Sequence, residues 1–133
     1  MNSLQGNITG IEVKGNMSLV TINVANVNFK SIVIETPKTV DYLIEGGEIL
    51  VLFKETEVII GLDPEMKISL RNKMIGRITN LKTGSLLAKL NIETDAGNIV
   101  SIITANAVKN LGLKTGLEVV AMVKTNEILL AQC

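Results

Sequence analysis

Met66-Lys67-Ile68-Ser69-Leu70-Arg71-Asn72-Lys73-Met74-Ile75-Gly76-Arg77-Ile78 is the stretch from which the chain is read. Ile68 and Leu70 alternate with Lys67, Ser69 and Arg71, the period of two expected of a half-buried strand. Such a strand places Ser69 and Arg71 side by side on its outer face. A hydroxyl beside a guanidinium is a donor pair suited to a small oxyanion. The same spacing also describes a solvated strand face carrying a surface arginine.

Asn72, Gly76 and Ile78 recur at Asn2, Gly6 and Ile8, and the offset of 70 residues extends outward in both directions. Sliding the chain by that offset aligns 1–62 with 71–132 without a gap. Ten further pairs are identical: Thr9/Thr79, Ile22/Ile92, Asn28/Asn98, Ser31/Ser101, Ile32/Ile102, Leu43/Leu113, Gly46/Gly116, Glu48/Glu118, Lys54/Lys124 and Glu57/Glu127. The runs 49–60 and 119–130 are apolar at nearly the same positions. This is an internal duplication. The expected organisation is a first unit at 1–62, a linker at 63–66 around Asp63-Pro64-Glu65, and a second unit at 67–133.

Each copy reads mostly as strands. Val20, Ile22 and Val24 alternate with Thr21 and Asn23, and Leu90 and Ile92 flank Asn91 in the same way. Residues 48–54 and 57–60 predict a strand, a tight turn and a strand, repeated at 118–124 and 127–130. One short helix is expected per copy. Thr36-Pro37 offers an N-cap and a proline at the first helical position, with Gly46-Gly47 at the helix end. In the second copy Asn106 is the expected cap and Gly112 the stop. The predicted fold is mainly β, two tandem OB-like small barrels, each with one short helix. Barrels of this size bury little core alone, so packing between copies and between chains is expected.

Composition narrows the chemistry. Thirteen basic residues balance thirteen acidic ones, and aromatics make up 2% of the chain. There is no polybasic surface for nucleic acid or membrane, and almost nothing on which bases stack. Histidine is absent and Cys133 is the single cysteine, so no zinc site, disulfide framework or histidine acid–base chemistry is expected. The carboxylates are scattered, with no pair marked for catalysis. Lys82-Thr83-Gly84-Ser85 matches a box of penicillin-recognising enzymes, but Lys73 follows Ser69 at four residues rather than three, and no Ser-Asp-Asn element exists. The N-terminal residues lack a signal-peptide pattern, and the longest apolar runs are strand-sized. A cytoplasmic binding protein is expected, with no enzymatic activity and no direct metal ligation.

Ser69-x-Arg71-Asn72 followed by Gly76-x-Ile78 resembles the opening signature of the molybdate-binding Mop domain, also called the TOBE domain. Ile103 to Ala107, Leu111-Gly112-Leu113, Gly116-x-Glu118-Val119-Val120 and Val123-Lys124 follow in the order of that family. The resemblance implies a tandem di-Mop protein binding molybdate or tungstate for storage or homeostasis, with no further cofactor. It implies a homo-oligomer, a trimer ahead of a dimer, with sites at subunit interfaces. It also implies an oxyanion site made by Ser69, Arg71, the turn Thr104, Ala105, Asn106 and Ala107, then Lys124 and Thr125. Arg71 supplies a planar fork and Lys124 a point charge against a tetrahedral dianion. Ser69 and Thr104 supply hydroxyls, and the helix start supplies N–H groups. Relatives often carry a serine where this chain has Ala107, so one hydroxyl is missing.

The first copy departs from the pattern. Met1 stands at the Arg71 position, Ile34 at that of Thr104 and Glu35 at that of Ala105, while Lys54 is retained. A carboxylate there repels a dianion, so the site is expected in the second copy alone. The segment 66–72 is then free to bridge both barrels or to cross to another subunit. The alternative function is a regulatory or interaction module of a molybdate-responsive system. A barrel for nucleic acid or oligosaccharide is disfavoured by the missing aromatics.

Overall fold

Alternating sequence becomes strand wherever a partner strand is available. The computed structural model describes residues 1–133. In the first copy, β1 (Asn2–Lys14) turns Asn2, Leu4, Gly6 and Ile8 inward and Ser3, Gln5, Asn7 and Thr9 outward. It is followed by β2 (Met17–Val24), β3 (Val27–Val33), β4 (Glu48–Phe53) and the short β5 (Ile59–Gly61). The second copy repeats the series as β6 (Asn72–Thr83), β7 (Leu87–Thr94), β8 (Gly97–Thr104), helix α1 (Ala105–Leu111), β9 (Glu118–Val123) and β10 (Leu129–Ala131). A 3-10 turn precedes each short last strand, at Glu55–Glu57 and Thr125–Glu127.

The strands form two antiparallel five-stranded sheets, ordered β10-β4-β1-β2-β3 and β5-β9-β6-β7-β8. Each sheet therefore takes its last strand from the other copy: Leu129 to Ala131 pair with Leu52 to Leu50, and Ile59 to Gly61 pair with Met122 to Val120. The expected strand–turn–strand at 48–60 is thus a crossover and not a hairpin. Its 3-10 turn carries the chain out of one sheet and into the other. Sequence units 1–62 and 67–133 accordingly differ from the folded sheets by one exchanged strand each.

Polar side chains on the repeat's identical positions close the two curled sheets. Ser31 donates to the Ile128 carbonyl at 2.9 Å, and its twin Ser101 donates to the Val58 carbonyl at 3.0 Å. The Asn2 amide donates to the Val100 carbonyl at 2.8 Å and accepts from the Val100 N–H at 2.8 Å. Asn72 treats Lys30 in the same way, at 2.9 and 2.6 Å. Each asparagine stands in for one residue of a missing neighbour strand, satisfying an edge that otherwise invites pairing. One continuous apolar core results, with Phe29 and Phe53 from the first copy and Met74, Leu90 and Ile92 from the second.

Two local expectations are corrected. Only the second copy has the α-helix; residues 36–47 form successive turns. A seven-residue helix has little stability of its own, and α1 is anchored by buried Val108, whose twin is the exposed Lys38. The Thr39 and Thr36 hydroxyls also take local backbone N–H groups, Thr36 N–H donating to Thr39 Oγ1 at 2.9 Å and Lys38 N–H to Thr36 Oγ1 at 3.2 Å, which competes with helix. The cap of α1 is Thr104 and not Asn106: Thr104 Oγ1 accepts from the Ala107 N–H at 3.1 Å. Asn106 lies inside the first turn, its side chain accepting from Asn110 at 3.0 Å. Gly112 ends the helix as expected, in the left-handed region at φ 65°.

Residues 66–71 form no strand, bend at Ser69 and belong to neither sheet; strand pairing begins at Asn72. The alternation is real, since Met66, Ile68 and Leu70 are half-buried while Lys67, Ser69 and Arg71 are exposed. What is missing is a neighbour strand to hydrogen-bond. Met66 packs beside Met122 over Gly61, on the outer face of β5 and β9. No helix is long and apolar enough to cross a membrane.

Candidate functional site

The expected oxyanion residues fall into two groups. The first is set by the register of β6 against β9. Asn72 pairs with Val123 and Lys73 with Met122, so Arg71 and Lys124 emerge side by side where that ladder ends. Lys124 caps the second 3-10 turn with φ −72° and ψ 144°, and Thr125 is the first residue of that turn. Arg71 is exposed and its Nη2 donates to the Ile68 carbonyl, which folds the 68–71 segment on itself. Lys73 Nζ holds the same segment at the Met66 carbonyl, 3.3 Å away. Ser69 lies between these two anchors with its side chain exposed and unbonded.

The second group is the Thr104 turn. Thr104, at the end of β8, pairs with Leu87 on β7. Thr104 and Ala107 line an apolar groove with Thr56, Val58, Ile59 and Ile103. Through the exchanged strand, the neighbour of this turn is the first copy's 3-10 turn, while the turn bearing Lys124 packs on β3. No hydrogen bond links the two groups, and neither 69–71 nor 124–125 contributes to the groove.

Two of the expected N–H donors at the helix start are engaged. Ala105 N–H donates to the Leu86 carbonyl at 2.8 Å, and Ala107 N–H donates to Thr104 Oγ1. The Thr104 hydroxyl proton and the Asn106 N–H, at the second helical position, are what this turn can offer an anion.

In the first copy the equivalent of the Arg71–Lys124 end is filled from within. Asn2 pairs with Phe53, so Met1 emerges beside Lys54 just as Arg71 emerges beside Lys124. The Met1 ammonium lies 2.9 Å from a carboxylate oxygen of Glu55, the twin of Thr125. That hydrogen bond holds the Glu55 carboxyl below the usual range. A carboxylate thus takes the place that a small anion would need.

Sequence reasoning missed the pairing of Glu57 with Glu127. The crossing of the two chain segments brings these twin carboxyls within hydrogen-bonding reach, which raises Glu127 above its ordinary value; Lys124 acts in the opposite direction. The identity of the two glutamates was the available signal, but nothing in sequence spacing places twins against each other. No group of three or more His, Cys, Asp or Glu side chains is placed to hold a metal ion.

A TOBE domain model matches residues 68–130. The molybdenum-pterin-binding protein 1 of Clostridium pasteurianum is 38% identical over 66 residues, covering 49% of this chain and 97% of that protein. The molybdenum transport protein ModE of Azotobacter vinelandii is 27% identical over 132 residues, 98% of this chain and 49% of ModE. Among solved structures, the cytoplasmic molybdate-binding protein ModG with molybdate bound superposes with a TM-score of 0.89 at 23% identity, over 99% of this chain and 96% of that one. This last likeness establishes the two-barrel fold.

Proposed function

The chain belongs to the TOBE-domain family of Mop proteins, and from that premise we propose that it binds molybdate or tungstate, for storage or homeostasis in the cytoplasm. The protein acts as a binder without catalytic activity. The functional division falls at 63–66, with 67–133 carrying the oxyanion motif and 1–62 lacking it. The observation that carries this reading is the register that sets Arg71 beside Lys124 at the open end of the β6–β9 ladder. Two cations with no carboxylate paired to either form a place where a dianion is neutralised. Ser69 and Thr125 add hydroxyls at the same end.

The Thr104 turn faces elsewhere in its own chain. A site combining Thr104 and Asn106 with Ser69, Arg71, Lys124 and Thr125 is therefore completed by a second protomer. The 66–71 segment, paired with no strand, and the apolar groove beside Thr104 support such a homo-oligomer, a trimer ahead of a dimer. Both features are surfaces that a neighbouring copy would cover.

Mixing complementary variants tests this. Arg71→Ala leaves a dianion under-neutralised, a loss typically worth about 2–5 kcal/mol, or roughly thirty- to four-thousand-fold in affinity. Thr104→Val removes the other half of the site. Oligomers assembled from a mixture of the two variants regain sites of wild-type affinity, because some interfaces unite an intact Arg71 with an intact Thr104. Calorimetric titration with molybdate reads the recovery. A mixture that never recovers places the whole site in one protomer, and wild-type affinity in Arg71→Ala alone overturns the oxyanion reading. Lys54→Ala, beside Glu55, leaves affinity unchanged.

A further inference from the structure

The outer face of the β6–β7 hairpin carries a second polar constellation. Asn80 pairs with Asn91 and Lys82 with Lys89 in the antiparallel register, so the four side chains stand at the corners of one patch. Together they line a small cleft of about 50 Å³ that no apolar residue and no carboxylate enters. None of the four side chains makes a hydrogen bond within the protein. Neither lysine belongs to an ion pair: the carboxylate that the Lys89 charge reaches is Glu55, already bound to the Met1 ammonium.

Like charges directly opposite each other on paired strands repel. The fold does not demand this arrangement, because the twin positions in the first copy are Gly10, Glu12, Leu19 and Thr21. Both hairpins contain the same irregularity, at Ile8/Gly10 and Ile78/Asn80, which increases local twist and re-aims the following side chains. In the second copy alone, that twist is followed by four converging donors: two ammonium groups and two amides.

We propose that Asn80, Lys82, Lys89 and Asn91 form a second, weaker binding site for a tetrahedral oxyanion on the outside of the second barrel. The two ammonium groups offset a dianion's charge, and the two Asn side chains donate N–H groups to its remaining oxygens. An anion here also relieves the Lys82–Lys89 repulsion. The site is exposed and its binding falls steeply with ionic strength. It is separate from the Arg71–Lys124 end and does not depend on it. Phosphate and molybdate share the required chemistry, and separate titrations distinguish them.

The experiment is a titration of the full chain at low ionic strength with sodium phosphate and, separately, sodium molybdate, followed by the side-chain amide resonances of Asn80 and Asn91. The expected result is a saturable shift of both amides that persists in Arg71→Ala. In Lys82→Gln/Lys89→Gln the midpoint weakens about tenfold or more, the loss of at least one charged contact. Lys14→Gln, a surface lysine of the other barrel, leaves it unchanged. Without added anion the double variant melts no lower than wild type, since it loses a repulsion. Saturation by molybdate alone identifies a second site for the proposed cargo, and saturation by both anions a general oxyanion site. Shifts that rise linearly without saturating, or that fall equally in Lys14→Gln, overturn the proposal in favour of diffuse charge attraction.

Discussion

Asn72 shows how a residue of a binding signature can serve the fold itself. In sequence it stands in the Ser-x-Arg-Asn signature and among the pairs identical across the offset of 70 residues. In the structure it is fully buried, and both ends of its amide bind Lys30 of the other barrel. Its identity with Asn2 follows, because Asn2 makes the same bridge to Val100. Gly76 is fixed equally locally: a Cβ there would stand 2.7 Å from the Glu93 carbonyl oxygen, which is backbone and cannot withdraw. Asn72→Ala strands an N–H and a carbonyl in a half-buried place. Each unsatisfied group costs roughly 1–3 kcal/mol, so the variant, with two of them, is expected to lose about 2–6 kcal/mol in urea unfolding. Ser69→Ala, three residues earlier and exposed, is expected to unfold almost as wild type does. Equal midpoints for the two variants would show that the bridge contributes nothing.

At the scale of elements, strands were legible and their surroundings were not. Period-two alternation found β2 and β7 because each has one buried face, and that pattern is a property of the sequence itself; the same alternation at 67–71 found no strand, because no partner strand lies beside it. The helix at 105–111 was legible from its flanking signals, whereas the expected partner at 37–45 failed for want of the anchor that Val108 provides. The cap was misassigned because Thr104 and Asn106 are both good capping residues, and only the chain's entry angle from β8 chooses between them. The 3-10 turns hold both shifted carboxyls, Glu55 lowered and Glu127 raised. Glu127 is raised by its contact with the Glu57 carboxyl, so the folded state holds that proton more tightly than the unfolded chain does. Its contribution is therefore present below the ordinary glutamate range, about pH 4.3, and is lost as pH rises through the raised value. Glu127→Gln removes the repulsion of two ionised carboxylates while keeping a hydrogen-bonding partner for Glu57. The variant is expected to melt higher than wild type at pH 7, with the difference shrinking toward pH 4. A lower melting temperature at pH 7 would mean that the ionised pair is held by a cation and is not repulsive.

For the whole molecule, the offset of 70 residues exposed the duplication but could not expose the exchange. A hairpin and a crossover have the same signature, two apolar runs joined by a short polar turn, since alternation specifies a buried face and never names the partner strand. The same limit hid the split of the candidate site: Thr104 and Lys124 are one copy in sequence, yet the exchange seats the Thr104 turn against the first copy's 3-10 turn. The exchange has a mechanical consequence. Fragment 1–62 keeps β5, which has no partner within it, and lacks β10, which β4 requires; fragment 67–133 has the converse defect. Ser31 and Ser101 would each lose the carbonyl to which they donate, and Asn2 and Asn72 their bridged residues. Both fragments also expose part of a core that is continuous across the two halves. A chain cut within 63–66 is therefore expected to remain together as a complex through unfolding and refolding. Fragment 67–133 expressed alone is expected to pair with a second copy of itself, since one molecule's β10 edge resembles what β9 has lost. Size-exclusion chromatography with light scattering decides the matter. Were each fragment a folded monomer with native β content by circular dichroism, the exchanged strands would be ornament on two independent barrels; an obligate pair means that the duplication and the exchange together make one folding unit.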